Sequence, residues 1–165
     1  METPNPYWIP VGQNLKGESV NYRYFKGRTA CDDCSEEIDL GFSFTFFGES
    51  YESLFINSNG NLTFIEDFIE YTPEPFCLNG PKMIAPFFGD ADLNKGGEIR
   101  YYLDPEGHYV IVSWLALGYF GCEVDCELRN TFQCILHDGS VTEILGQSVS
   151  AQANVLFMYQ DMEWT

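Results

Sequence analysis

Apolar and polar residues alternate with a period of two along much of the chain. Phe42, Phe44 and Phe46 are separated by Ser43 and Thr45, which gives a strand one apolar and one polar face. Leu54-Phe55-Ile56 leads through Asn57-Ser58-Asn59-Gly60 into Leu62-Thr63-Phe64. An Asn-Gly pair between apolar runs predicts a hairpin, because both residues tolerate positive φ. Further strands are expected at 83–88, 99–103, 109–117, 128–136, 141–145 and 155–159, with tight turns at 104–107 and 137–140. The run 109–117 is unbroken rather than alternating. It falls well short of the ~20 apolar residues of a membrane helix and predicts a buried strand. Helical pattern is confined to one turn near 65–69 or a short helix around 142–147. Many short strands separated by turns predict an all-β fold, an antiparallel β-sandwich with little helix.

Residues 1–37 differ in texture, mixing Gly, Pro, Tyr and charge irregularly. They are expected to form an N-terminal arm that packs on, or exchanges strands with, a sandwich spanning 38–165. The opening Met1-Glu2-Thr3-Pro4-Asn5-Pro6 carries neither the basic nor the apolar segment of a secretory leader.

Charge narrows the partners. With 25 acidic residues against 8 basic ones, the net charge is -17. Such a surface repels nucleic acid and anionic lipid and attracts cations or basic protein faces. Six cysteines stand at Cys31, Cys34, Cys77, Cys122, Cys126 and Cys134. An even number in an acidic β chain points to disulfides, in a pairing that spacing does not fix. Zinc is the rival, with Cys31, Cys34, Cys122 and Cys126 as thiolate ligands. The acids around both pairs raise thiol pKa and oppose it. Free thiols are the third possibility. Cys134 alternates with Phe132 and Leu136 and reads as a core position, bridged or not.

Asp90-x-Asp92-x-Asn94 is the most ligand-like stretch, since alternate oxygen-bearing side chains on a turning loop converge on a hard cation such as calcium. It is not an EF-hand: Lys95 stands at position six and Tyr101 at position twelve. The plain alternative is a loop whose Asp side chains hold local backbone N–H groups. His108 and His137, the two histidines, fall in turn segments beside glycine and read as solvated. No nucleophile elbow, phosphate loop or zinc-protease motif occurs, so no catalytic residue is assigned and the chain is not expected to be an enzyme. Asn61-Leu62-Thr63 is an N-glycosylation sequon, which makes Asn61 a glycosylation candidate on a hairpin exit expected to be exposed. Trp8, Tyr101, Tyr102, Tyr119 and Phe120 are candidates for a sugar- or protein-binding face, although most of the 14 Phe, 10 Tyr and 3 Trp must be core.

Three ordered blocks resemble one family. Leu40-Gly-Phe-Ser-Phe-Thr-Phe-Phe-Gly48, Tyr51 and Leu54-Phe-Ile-Asn-Ser-Asn-Gly-Asn-Leu-Thr-Phe64 form the first. Ile84-Ala-Pro-Phe-Phe-Gly-Asp-Ala-Asp92 with Gly97-Glu-Ile-Arg-Tyr-Tyr102 form the second. Asn130-Thr-Phe-Gln133, Asp138-Gly139, Val155-Leu-Phe-Met-Tyr159 and Trp164-Thr165 form the third. Together they resemble the nidogen-like (NIDO) domain. The resemblance implies a secreted or cell-surface module of adhesion and matrix proteins, not a catalyst. Two departures stand out. The cysteine-bearing loops lie outside the motif, and the family continues past the point matching Trp164-Thr165 into a further strand. An unpaired sandwich edge is therefore expected, filled by Tyr7, Trp8, Ile9 and Val11 of the same or a neighbouring molecule, the latter building a fibre. The leading function is an extracellular structural or adhesive module whose partners are other proteins or copies of itself. The alternative is a calcium-dependent or carbohydrate-binding module, with glycans as partners.

Overall fold

A computed structural model describes residues 5–73, 80–123, 126–150 and 153–165. Two antiparallel sheets face each other. The smaller runs β2 (Ser35–Phe46), β3 (Glu49–Asn57), β4 (Asn61–Thr63) and β5 (Met83–Ile84) in that order, as a meander. The larger has the order β1-β6-β7-β8-β11, with β1 at Arg23–Tyr24, β6 at Glu98–Leu103, β7 at Tyr109–Leu117, β8 at Asn130–His137 and β11 at Val155–Met162. A separate ribbon pairs β9 (Glu143–Ile144) with β10 (Gln147–Ser148). The expected β-sandwich is present. The boundary expected between 37 and 38 falls inside β2.

Alternation in β2 places Ile38, Leu40, Phe42 and Phe44 inward and exposes the residues between them. They meet Leu54, Ile56 and Leu62 from the small sheet and Val110, Val112, Trp114, Phe132 and Leu136 from the large one. Trp114 stacks on Phe132 with centroids 5.1 Å apart.

The unbroken apolar run in β7 has a structural cause: the large sheet is covered on both faces. Its outer face carries Tyr102, Tyr109, Ile111, Ile135 and Met158, and over them lie Ile9 and Leu15 of the arm with Val141 and Ile144 of the ribbon segment. β8 is buried at every residue, so a Gln and a His stand where an exposed face would be expected. Gln133 is satisfied by the arm: its Nε2 donates to the Ile9 carbonyl at 2.7 Å, and its Oε1 accepts from the Ile9 N–H at 3.1 Å. A buried side-chain amide bound at both ends fixes the arm's register as well as its attachment.

Four local expectations are corrected. The strand expected at 83–88 ends at Ile84, because Pro86 lacks the N–H a ladder needs. No helical turn forms at 65–69, where bends and irregular chain run instead. The helix considered at 142–147 is the β9–β10 ribbon, turned through Leu145 (φ 47°) and Gly146 (φ 78°). The hairpin at 57–61 forms with one positive φ rather than two. Its loop is Ser58-Asn59-Gly60, only Gly60 is left-handed (φ 93°), and Gly60 N donates to the Asn57 carbonyl. A Cβ at Gly60 would lie 2.9 Å from the Phe87 ring and 3.1 Å from Phe132, so conformation and space both demand glycine.

Ile9 is fully buried on the outer face. Ile9→Ala should destabilise the domain by about 2–4 kcal/mol and make the arm the first site of limited proteolysis. A variant with unchanged denaturation midpoint and intact arm would show that the third layer does not support the sandwich.

Candidate functional site

The Asn57–Asn61 turn is almost wholly polar and almost wholly buried, and its side chains organise the loops around it. Asn57 Nδ2 donates to Asn61 Oδ1 (2.8 Å) and Thr63 Oγ1 (3.1 Å), and Asn57 Oδ1 accepts from the Phe68 N–H. Trp114 Nε1, in the inter-sheet core, donates to the Asn57 carbonyl. Asn59 Oδ1 accepts from the Ala91 N–H, and Asn59 Nδ2 donates to the Glu70 carbonyl and to Asp33 Oδ1 at 2.8 Å. Ser58 exchanges bonds with Cys34: Ser58 N donates to the Cys34 carbonyl, and Cys34 N donates to Ser58 Oγ.

These bonds hold two segments together. One is the loop closed by the Cys31–Cys34 disulfide; the other is 89–92, which bridges to it at Asp32–Asp92. Asp32, Asp33 and Asp90 converge there, offering carboxylate oxygens within 4.8 Å of one another. Among the described residues, Asp32 Oδ1 is buried without a hydrogen-bond partner. Burial, then repulsion from Asp92, Asp33 and Asp90, pushes the Asp32 carboxyl up to about 6. Asp90 is raised for the same reasons, burial first and then Asp33 and Asp92. Three like charges gathered with one oxygen orphaned form an oxygen-donor set suited to a hard cation.

Only one of the three expected ligands belongs to this set. Asp90 does. Asp92 turns away: its Oδ1 caps the following turn, accepting from Asn94 N at 2.8 Å and Asn94 Nδ2 at 2.9 Å. Asn94 is itself exposed. Asp32 and Asp33 were not anticipated. Their signal was a Cys-Asp-Asp-Cys loop, too short to hold its acids anywhere but at the disulfide.

The other candidates fall elsewhere. Cys31 pairs with Cys34 and Cys122 with Cys126, so the four thiolates proposed for zinc are consumed locally. Cys134 is free and fully buried, with its thiol pKa raised by burial. Cys77 lies outside the described residues. Asn61, expected to be exposed, is fully buried, and its Oδ1 accepts from Asn57. Tyr7, Trp8, Ile9 and Val11 pack on the outer face of the large sheet and do not line an edge. Tyr101 and Tyr102 are buried, so the proposed aromatic face loses them, while Phe120 remains exposed. His137 is not solvated: it is fully buried, Nδ1 accepts from the Gly139 N–H, Nε2 has no well-formed hydrogen bond among the described residues, and burial lowers its pKa. His108 is exposed, pairs with Asp138 at 2.8 Å and is raised by that contact. Neither histidine approaches the acidic cluster by any described contact.

Among known proteins, a family model described as NIDO related matches residues 14–141. The chain is 31% identical to alpha-tectorin of Mus musculus and 28% to that of Gallus gallus, each alignment covering 81% of this chain. It is 31% identical to nidogen of Drosophila melanogaster over 55% of this chain. The chain spans about 7% of the length of the alpha-tectorins and 8% of the nidogen. No solved structure matches it.

The raised Asp32 pKa gives a signed pH dependence. Between the unfolded value near 3.8 and the folded value of about 6 the folded state holds more protons, so this group adds stability as pH falls through 6. His137 acts oppositely, since a lowered folded pKa removes stability as pH falls through its unfolded value of 6.5. Asp32→Asn isolates the first effect. Without divalent cations it should be about 1 kcal/mol more stable than the parent at pH 7.5, and the difference should shrink as pH falls through 6 and vanish only below 3.8. Parallel stability curves for the two proteins across that range would refute the assignment.

Proposed function

The chain belongs to the NIDO-related family, and on that footing we propose that it is an extracellular interaction module that binds a further strand along the open edge of β11. Alpha-tectorin and nidogen are structural proteins of the extracellular matrix. Two disulfides fit the same oxidising compartment.

The support is a difference between sheet edges. β1 closes one edge of the large sheet with two residues, one of them Arg23, and Lys26 and Arg28 follow it. β2, at the edge of the small sheet, is long but carries Glu36, Glu37 and Asp39 and breaks register between Asp39 and Phe44. Short length, charge and bulges are the usual guards against edge pairing. β11 is guarded least. It extends for 8 residues, pairs with β8 alone among the described residues, and exposes Phe157 (42%), Tyr159 (42%) and Met162 (41%). Its guards are a register shift between Tyr159 and Asp161 and the charge of Asp161. A strand laid against it gains main-chain bonds along the edge and apolar contact with these side chains.

A second copy of the chain supplies the testable strand. Sedimentation velocity should show concentration-dependent association, lost in a Phe157→Lys, Met162→Lys double variant whose melting temperature stays within a few degrees of the parent. A parent that stays monomeric over the whole range and fails to bind a synthetic peptide of residues 155–162 would end this reading.

The orphaned oxygen of Asp32 favours a second role for the same module, binding of calcium by Asp32, Asp33 and Asp90. At tenfold excess over the dissociation constant, calcium should stabilise the parent by about 1.4 kcal/mol and leave an Asp32→Asn, Asp90→Asn variant unaffected. Absence of both calorimetric heat and thermal shift in the parent would remove calcium.

A further inference from the structure

We propose that the cavity between the arm, the β6–β7 turn and the β9–β10 ribbon binds a lysine side chain of a partner protein. The cavity holds about 570 Å³. Three separate segments wall it: Glu18 and Val20 come from the arm, Asp104 and Glu106 from the turn, and Glu143 from β9. Backbone bonds fix these walls to one another. Leu145 N donates to the Leu15 carbonyl, joining ribbon to arm, and Asp138 N donates to the His108 carbonyl, joining the turn after β8 to the turn after β6. Tyr102, Tyr109, Leu15 and Val141 also line the cavity, and all four are buried, so its floor is aromatic and aliphatic.

The walls are negative. Glu18 is placed by the tight loop before it, in which Asn14 Oδ1 accepts from the Lys16 and Glu18 N–H groups. One oxygen of Glu18 accepts from Asn14 Nδ2 at 2.7 Å, and one oxygen of Asp104 accepts from the His108 N–H at 3.2 Å. Among the described residues, the second oxygen of each is without a hydrogen-bond partner, as are both oxygens of Glu106 and Glu143. The field of three of these acids meets at the Tyr102 hydroxyl, whose pKa is raised first by burial, then by Asp104, with Glu18 and Glu106 adding to it. Two basic side chains share the lining, and neither neutralises it. Lys16 is exposed and makes no ion pair among the described residues, while the His108 ring is held by Asp138 at 2.8 Å. Four carboxylates against these leave the cavity negative.

Spacing selects the shape of the ligand. No three of these acids offer oxygens within 4.8 Å of one another, as Asp32, Asp33 and Asp90 do, so a bare metal ion would not be enclosed. A longer cation suits the cavity better, with an apolar stem against the tyrosines and aliphatic floor and its charged head among the carboxylates. Lysine fits this description more closely than arginine. Its ammonium carries three donors that rotate to meet scattered oxygens, whereas the planar guanidinium fork is matched to one carboxylate in two parallel bonds. The net charge of -17 draws a basic partner from a distance, and the cavity decides where its lysine seats.

The probes are the blocked peptide acetyl-Gly-Lys-Gly-amide and its counterparts with Nε-acetyl-lysine and with arginine. Each is titrated into the full chain at about 0.15 M salt, where diffuse attraction is screened, while the Tyr102 and Tyr109 ring resonances are followed. The lysine peptide should shift both rings saturably, with the acetyl-lysine peptide roughly tenfold or more weaker and the arginine peptide between them. A Glu106→Gln, Glu143→Gln variant should lose most of the response. A Glu52→Gln, Glu127→Gln variant, which changes the net charge equally, should keep it. Equal responses to the lysine and acetyl-lysine peptides overturn the proposal, as does tighter binding of the arginine peptide or a lysine response spread over the surface without saturation. The peptide comparison uses the unmodified chain, so it decides the matter even if a variant misfolds.

Discussion

The structure depends on the buried polar turn between β3 and β4. Asn57 and Asn59 are side chains that burial would penalise by a few kcal/mol each if their amides were left unpaired. Each is bound at both its oxygen and its nitrogen. Their partners come from distant parts of the chain: Asp33 before β2, Phe68 and Glu70 after β4, Ala91 before β6 and, through the Asn57 carbonyl, Trp114 of β7. One turn therefore joins the small sheet, the large sheet and two irregular loops. Gly60 lets the Phe87 backbone and ring approach closely enough to complete the junction. Disturbing Asn59 would loosen the acidic cluster, because its amide binds Asp33 and the Ala91 N–H, whereas Asn57 serves the chain after β4 and, through its carbonyl, Trp114 in the core.

That turn also marks how far the amino-acid order was legible. Asn57-Ser-Asn-Gly60 announced a hairpin through local backbone preference, and the hairpin is there. The same string did not announce burial. A polar turn normally lies at the surface, and only the packing of distant loops onto it reverses the expectation for Asn61. His137 failed for a related reason. Its neighbours Asp138 and Gly139 signal a turn, while the layer that buries it comes from elsewhere in the chain. Strands β2, β7 and β8 were legible because their pattern is carried by their own residues. The ribbon at 143–148 was not, since four paired residues give too short a run to separate a period of 2 from one of 3.6. Of the cation-ligand set, Asp90 was visible in its loop. Asp32 and Asp33 join it through the disulfide loop, its bridge from Asp32 to Asp92 and the Asn59 contact.

The large sheet shows how an additional layer changes what its strands can carry. A sandwich sheet usually has one wet face, which makes its strands alternate. Here the arm and the ribbon cover that face, and β8 is buried from Asn130 to His137. Polar residues in such a strand need internal partners. Gln133 finds one in the arm, and that contact gives the arm its place. His137 finds only half of one. Its ring lies where β8 hands over to the chain leading back to β11, and among the described residues Nε2 has no well-formed hydrogen bond.

The edges and the charge combine into one picture of how this module meets other chains. Its net charge opposes indiscriminate association, so contacts must form where the surface departs from the average. Two such places lie on opposite edges of one sheet. The β11 edge offers unpaired backbone and exposed aromatics, and the β1 edge offers arginines over a tyrosine. They differ in kind, because main-chain pairing needs a long, weakly charged strand, which β11 provides and the two-residue β1 does not. β6, β7 and β8 lie between these edges in one continuous sheet. Of the two, the β11 edge has the length, weak charge and exposed side chains that suit the strand pairing proposed above.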